Sequence, residues 1–176
     1  MKKLSLATLW LDGCSGCHMS LIDIDERIIQ VAEAYDILYS PLVDHKDFPK
    51  KVDITLLEGA ISTDEDLEMV KKIRSRTDIL ISFGDCAVTG NVPAMRNRFK
   101  VEQVLNRAYI ETTPGNKTMP DQYVPKLLDK AYPVHHIVSV DLFLPGCPPS
   151  ADVIYYILIE LAEGRTPDLT ERAKFG

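Results

Sequence analysis

Asp12-Gly13-Cys14-Ser15-Gly16-Cys17-His18 is the stretch on which the reading of this chain turns. It joins an apolar run, Leu4 to Leu11, to a segment with helical periodicity. A strand, a glycine-rich loop and a helix in that order open an α/β unit. Two thiols three positions apart, with glycines around them, can both turn toward one object. What that object is depends on where the other cysteines lie.

Working outward, Leu4 to Leu11 reads as a buried first strand, with Trp10 as a core residue. Met19, Leu21, Ile22, Ile24, Ile28, Ile29, Val31 and Ala32 recur at helical spacing and predict one amphipathic helix from about His18 to Ala34. Asp36–Leu42 and Val52–Leu57 read as further strands, the latter running into Glu58-Gly59-Ala60. Ser62 or Thr63 can cap a helix whose apolar face is Leu67, Met69, Val70 and Ile73. Its acidic first turn, Asp64 to Asp66, suits the helix dipole. Asp78–Phe83 reads as a fourth strand, leading into Gly84-Asp85-Cys86, and Asn91–Asn106 as part helix. The pattern then dissolves into a proline-rich, irregular excursion at about 107–136. Ile137–Leu144 is a fifth strand, ending in Pro145-Gly146-Cys147-Pro148-Pro149. Ser150 or Asp152 can cap a last helix through Ile154, Ile157, Leu158, Leu161 and Ala162.

Strand alternates with helix, without internal repeats. The expected fold is α/β: a single flavodoxin-like domain over 1–176, with a mostly parallel five-stranded sheet, helices on both faces and strand order 2-1-3-4-5. At 176 residues and 45% apolar composition, the chain can bury a sizeable core. It has no apolar run of eighteen residues, so no bilayer span is expected. The start, Met1-Lys2-Lys3-Leu4, reads as the approach to the first strand rather than as a signal peptide, and no twin-arginine pair is present. Lys plus Arg number 20 against 26 Asp plus Glu, a net charge of −6 with no basic cluster. Nucleic acid is therefore not an expected partner, because phosphate neutralisation needs clustered cations.

Four cysteines are present: Cys14, Cys17, Cys86 and Cys147. Each lies just past the C-terminal end of an expected strand, and in a parallel sheet those ends share the edge at which ligands bind. Each loop also carries glycine or proline, so its backbone can approach a ligand closely and offer N–H groups to anionic sulfur. A four-cysteine iron–sulfur cluster needs that environment. Structural zinc would use four thiolates as well, and Cys-x-x-Cys between strand and helix also marks thioredoxin-like dithiols. The dithiol reading leaves Cys86 and Cys147 unexplained. Zinc usually organises a domain too small to fold without it. The pattern favours iron–sulfur, with a zinc-stabilised, non-redox binding module as the alternative from another class.

Together, Asp-Gly-Cys14-Ser-Gly-Cys17-His, Leu-Glu58-Gly-Ala-Ile, Gly-Asp-Cys86-Ala-Val-Thr-Gly-Asn and Pro-Gly-Cys147-Pro-Pro resemble the small subunit of nickel–iron hydrogenases. The related 20 kDa subunit of respiratory complex I shares Gly-Cys-Pro-Pro but has two adjacent cysteines in its first motif. Here two residues separate them. The chain looks most like the short small subunit of cytoplasmic, bidirectional NAD(P)-linked enzymes. That resemblance implies one 4Fe–4S cluster ligated by Cys14, Cys17, Cys86 and Cys147. It also implies a nickel–iron large subunit that performs the chemistry, and diaphorase subunits carrying FMN and further iron–sulfur clusters. This subunit would be a non-catalytic electron relay, not active alone. The alternative within the relay class is a complex I-like or membrane-bound hydrogenase subunit.

Other residues carry weaker expectations. Ser15 and Glu58 are candidates for contacts around the cluster or for a proton path; a turn-stabilising hydroxyl and a structural carboxylate are the plainer readings. His18 reads as a polar residue of the first helical turn, and Asp85 as a residue that shapes its loop. FMN in this subunit is not favoured, because the loop after strand 1, where a flavodoxin cradles phosphate, carries cysteines here.

Overall fold

Residues 3–115 and 117–175 are described by a computed structural model. Met1 and Lys2, read above as the approach to the first strand, lie outside the described residues, as do Asn116 of the excursion and Gly176. The central sheet is built from β1 (Leu4–Trp10), β2 (Tyr35–Tyr39), β3 (Val52–Glu58), β5 (Thr77–Phe83) and β7 (Leu142–Leu144). Its order is β2-β1-β3-β5-β7 and every pairing is parallel. This is the expected 2-1-3-4-5 arrangement.

The strands read as continuous apolar runs because both faces are covered. Leu6, Ile54, Leu56, Ile81 and Phe83 point to one face. There they pack against α1 (Gly16–Ile22), α2 (Ile28–Ala34) and α6 (Ala151–Ala162), through Leu21, Val31, Ile154, Ile157 and Leu158. Ala7, Leu9, Leu57 and Leu80 point to the other face. They meet α3 (Asp64–Arg74), through Val70 and Ile73, and Ala87 of α4 (Asp85–Thr89). Thr63 caps α3 with a reciprocal box: its hydroxyl accepts from Asp66 N at 3.1 Å, and the Asp66 carboxylate accepts from Thr63 N at 2.9 Å. Ser150 caps α6 by accepting from Val153 N.

Three local expectations are corrected. The single helix expected over His18–Ala34 is two helices joined by a 3-10 turn at Asp25–Arg27. Asp25 takes φ +64°, which interrupts the ladder. The apolar spacing hides the break because Ile24 and Val31 enter the same core on either side of it. The stretch Asn91–Asn106 is part helix, as expected: a 3-10 turn, Pro93–Arg98, followed by the short α5 (Val101–Asn106). The excursion is partly ordered. β4 (Ile61–Thr63) pairs antiparallel with β6 (Leu127–Tyr132) in a second, two-stranded sheet. β4 is too short to show a period, and β6 mixes exposed Asp129 and Lys130 with apolar neighbours. Finally, the last parallel strand is short. At its start Asp141 bonds to Leu80 at the backbone and through its carboxylate, while Val138 and Val140 pack into the second core.

Among the described residues, no helix is long and apolar enough to cross a membrane.

Candidate metal centre

The parallel sheet sends every strand's C-terminal end to one edge, and the cysteine loops leave from that edge. Cys14 and Cys17 follow β1, Cys86 follows β5, and Cys147 follows β7. All four are free thiols; Cys14 and Cys147 are exposed, Cys86 is half-buried and Cys17 is buried. They lie close enough to act on one another electrostatically: Cys17 feels Cys86 and Cys14, and Cys86 feels Cys147 and Cys14.

The loops are tied to one another. Leu11 N donates to Glu58 O, and Asp12 and Ala60 exchange backbone hydrogen bonds at 3.1 and 2.8 Å. Gly59 permits that approach. It sits at φ +96°, and a Cβ there would lie 2.7 Å from the Leu11 carbonyl carbon. Gly84 N donates to Leu144 O, Asp85 N donates to Gly146 O, and the Asp85 carboxylate accepts from Gly146 N at 2.7 Å. Asp85 thus holds the Gly146-Cys147 loop, in the loop-shaping role expected of it. The Ser20 hydroxyl donates to Pro149 O, joining α1 to the same loop across the sheet edge. The Cys147–Pro148 bond is cis.

A cradle opens between these loops. At Gly84, with φ +82°, a Cβ would stand 2.1 Å from Cys17 Sγ. Two of the four sulfurs receive N–H groups: Gly16 N reaches Cys14 Sγ at 3.4 Å, and Asn91 Nδ2 reaches Cys147 Sγ at 3.4 Å; the Val92 backbone tempers the rise at Cys86. Burial, the Glu58 charge and the neighbouring thiols push the Cys17 thiol far above its usual range. Burial and the charges of Cys147 and Cys14 push Cys86 up to about 11. Without a cation these thiols hold their protons at neutral pH. Bound iron would supply the positive charge that thiolate ligands need to stay ionised in such a site. The donor set therefore fits an iron–sulfur cluster: soft ligands, a space that a single methyl would fill, and N–H groups aimed at sulfur.

Ser15 is the left-handed residue that caps α1 through its backbone: φ is +64°, its carbonyl accepts from Met19 N, and its side chain makes no capping bond. Glu58 is buried at the end of β3. Its carboxylate accepts from Cys17 N at 3.2 Å and His18 N at 2.9 Å, and pairs with His18 Nδ1. His18 is a polar residue of the first turn of α1, as expected, and it is buried. Its Nε2 meets Thr8 Oγ1 at 2.9 Å, and the Thr8 hydroxyl donates to Ser40 Oγ at 2.7 Å. The sheet alternation that puts Leu6 and Leu56 on the first face puts Thr8 and Glu58 there too. A polar residue interrupting an apolar strand was the available signal for this chain of contacts, and only Glu58 was singled out from it. Trp10 is also corrected. It is 46% exposed, because it ends β1 where the cysteine loop leaves the sheet and no helix covers it.

Residues 14–161 match the family model described as the NADH ubiquinone oxidoreductase 20 Kd subunit. The chain belongs to that family. It is 42% identical to the delta subunit of the NAD-reducing hydrogenase HoxS of Cupriavidus necator, over 95% of this chain and 82% of that one. It is 38% identical to one subunit of the F420-non-reducing hydrogenase of Methanothermobacter thermautotrophicus, over 97% of this chain but only 57% of that protein. Among solved structures, an NAD+-reducing [NiFe]-hydrogenase in its H2-reduced state superposes with a TM-score of 0.95. The identity there is 38%, with 99% of this chain and 100% of the other covered. By these matches the chain is a homologue of small subunits of nickel–iron hydrogenases.

Proposed function

We propose that this chain is a single-domain, non-catalytic relay subunit of a cytoplasmic NAD(P)-linked nickel–iron hydrogenase. In that role Cys14, Cys17, Cys86 and Cys147 ligate one 4Fe–4S cluster. The observation that carries the reading is the meeting of four thiols from three loops on one sheet edge, around a cradle kept open by Gly84, with N–H donors on two sulfurs. The cluster, when bound, accepts and donates single electrons. The chain's own residues fix the sulfurs, exclude water from the Cys17 side and offset negative charge on the Cys86 and Cys147 side.

The partners that follow are a nickel–iron large subunit over the cysteine edge, where Trp10 and Met19 stand exposed beside the loop, and diaphorase subunits carrying FMN and further clusters. The loop after β1 is given to sulfur ligands, so the flavin belongs to those partners and not to this chain. The two-residue gap between Cys14 and Cys17 favours this reading over a complex I-like or membrane-bound hydrogenase relay, although the family model takes its description from the complex I subunit. A zinc module is disfavoured because structural zinc serves domains that cannot fold without it, whereas this domain buries two apolar cores of its own.

Iron, acid-labile sulfide and the EPR spectrum of the reduced complex test the proposal. Cys147→Ser should lose or convert the cluster and stop hydrogen-dependent NAD(P) reduction. Full activity with an unchanged spectrum would remove Cys147 from the ligand set. Stoichiometric zinc without labile sulfide would sink the relay role altogether.

A further inference from the structure

The turn Gly90-Asn91-Val92 lies between the Cys86 and Cys147 loops, and its backbone is locked. Gly90 N donates to Cys86 O at 3.0 Å, Asn91 N donates to Thr89 Oγ1 at 3.3 Å, and Asn91 O accepts from Ala94 N at 3.2 Å. Gly90 sits at φ +88° and Asn91 at φ +32°, a conformation that asparagine tolerates better than most residues. In this pose the Asn91 carboxamide nitrogen reaches Cys147 Sγ at 3.4 Å. The carboxamide can serve a thiolate only through its N–H, since the sulfur has no proton to give. The Cys17 side is the opposite: there the nearest charged group is the Glu58 carboxylate. The site thus offers a donor at one end and negative charge at the other.

We propose that Asn91 is a positioning residue that raises the reduction potential of the cluster, through its N–H bond to the Cys147 sulfur. This rests on the reading of the four cysteines as cluster ligands. Reduction adds one electron, and its negative charge spreads onto the sulfurs. An N–H donor stabilises the reduced form more than the oxidised form. The donor is neutral, so its effect is the same at pH 6 and pH 8.

The test is an EPR-monitored redox titration of the purified complex at both pH values, for the native chain, Asn91→Gly and Asn91→Asp. Glycine keeps the left-handed backbone and deletes the donor; aspartate keeps the shape and replaces the donor by an acceptor. Both variants should retain full iron and titrate at more negative potential, with the larger shift in Asn91→Asp. Loss of the donor should lower the reduced-to-oxidised ratio at a fixed poise by about fivefold, on the scale of one ordinary net hydrogen bond. An unchanged potential in both variants with an intact cluster overturns the inference, and so does loss of the cluster in both, which would make Asn91 a loop holder only. A native complex without labile sulfide would instead overturn the cluster reading beneath it.

Discussion

At the scale of single residues, the site depends on atoms that are missing as much as on those present. Gly84 holds open the space beside Cys17 Sγ. Gly84→Ala should lower the iron content of the purified complex several-fold, since the new methyl must displace a ligand sulfur; full iron loading would refute the cradle. Glu58 is the contrary case, a buried carboxylate serving two N–H groups and an imidazole. Glu58→Ala leaves these groups unpaired and should destabilise the chain by about 3 kcal/mol in urea unfolding, while Glu58→Gln keeps an acceptor and should cost less. The cysteines and Glu58 were legible because they stand at strand ends. Asn91 and the His18–Glu58 pair were not, since a contact between residues 18 and 58 leaves no trace in local spacing.

At the scale of elements, capping was readable and interruptions were not. The Thr63 box was visible as a hydroxyl three residues before an acid, so Thr63→Ala should cost α3 about 1 kcal/mol, measured as a shift in unfolding midpoint. The join between β5 and the short β7 carries a pH dependence. Burial raises the Asp141 carboxyl, but the hydrogen bond from Arg74, the Leu80 N–H and the Arg74 charge outweigh it and hold the carboxyl below its ordinary 3.8. A lowered folded value means that the stabilisation is complete above about pH 4 and is lost as pH falls through the folded value. Asp141→Asn should therefore be less stable than the native chain at pH 7, and the difference should shrink below pH 4. A gap that stays constant across that range would show that Asp141 contributes no charge effect. The break at Asp25 escaped the sequence because an amphipathic pattern reports which residues face the core, not whether the backbone between them is continuous.

At the scale of the whole molecule, the open face of the cysteine edge is where the proposed large subunit would dock. Trp10 ends a buried strand yet is almost half exposed. Trp10→Asp should leave the fold's own stability within about 0.5 kcal/mol. It should weaken association with the large subunit at least tenfold, as aromatic anchors do at interfaces. Co-purification with the large subunit at native yield would show that this tryptophan lies outside the contact.

The loop Asp12–His18 shows where the two kinds of information divide. Sequence by itself determined that a strand precedes this loop and a helix follows it. It also determined that the remaining cysteines stand after two later strands, and that parallel pairing would bring all of them to one edge. These are consequences of chain direction and of periodicity, which are local properties. Only the tertiary structure decided which groups fill the space around the sulfurs: Glu58 and His18 at Cys17, Asn91 at Cys147, and a bare Gly84 beside Cys17. Those contacts join loops far apart in the chain, and their distances follow from how the whole sheet twists and packs, which no short window of residues encodes.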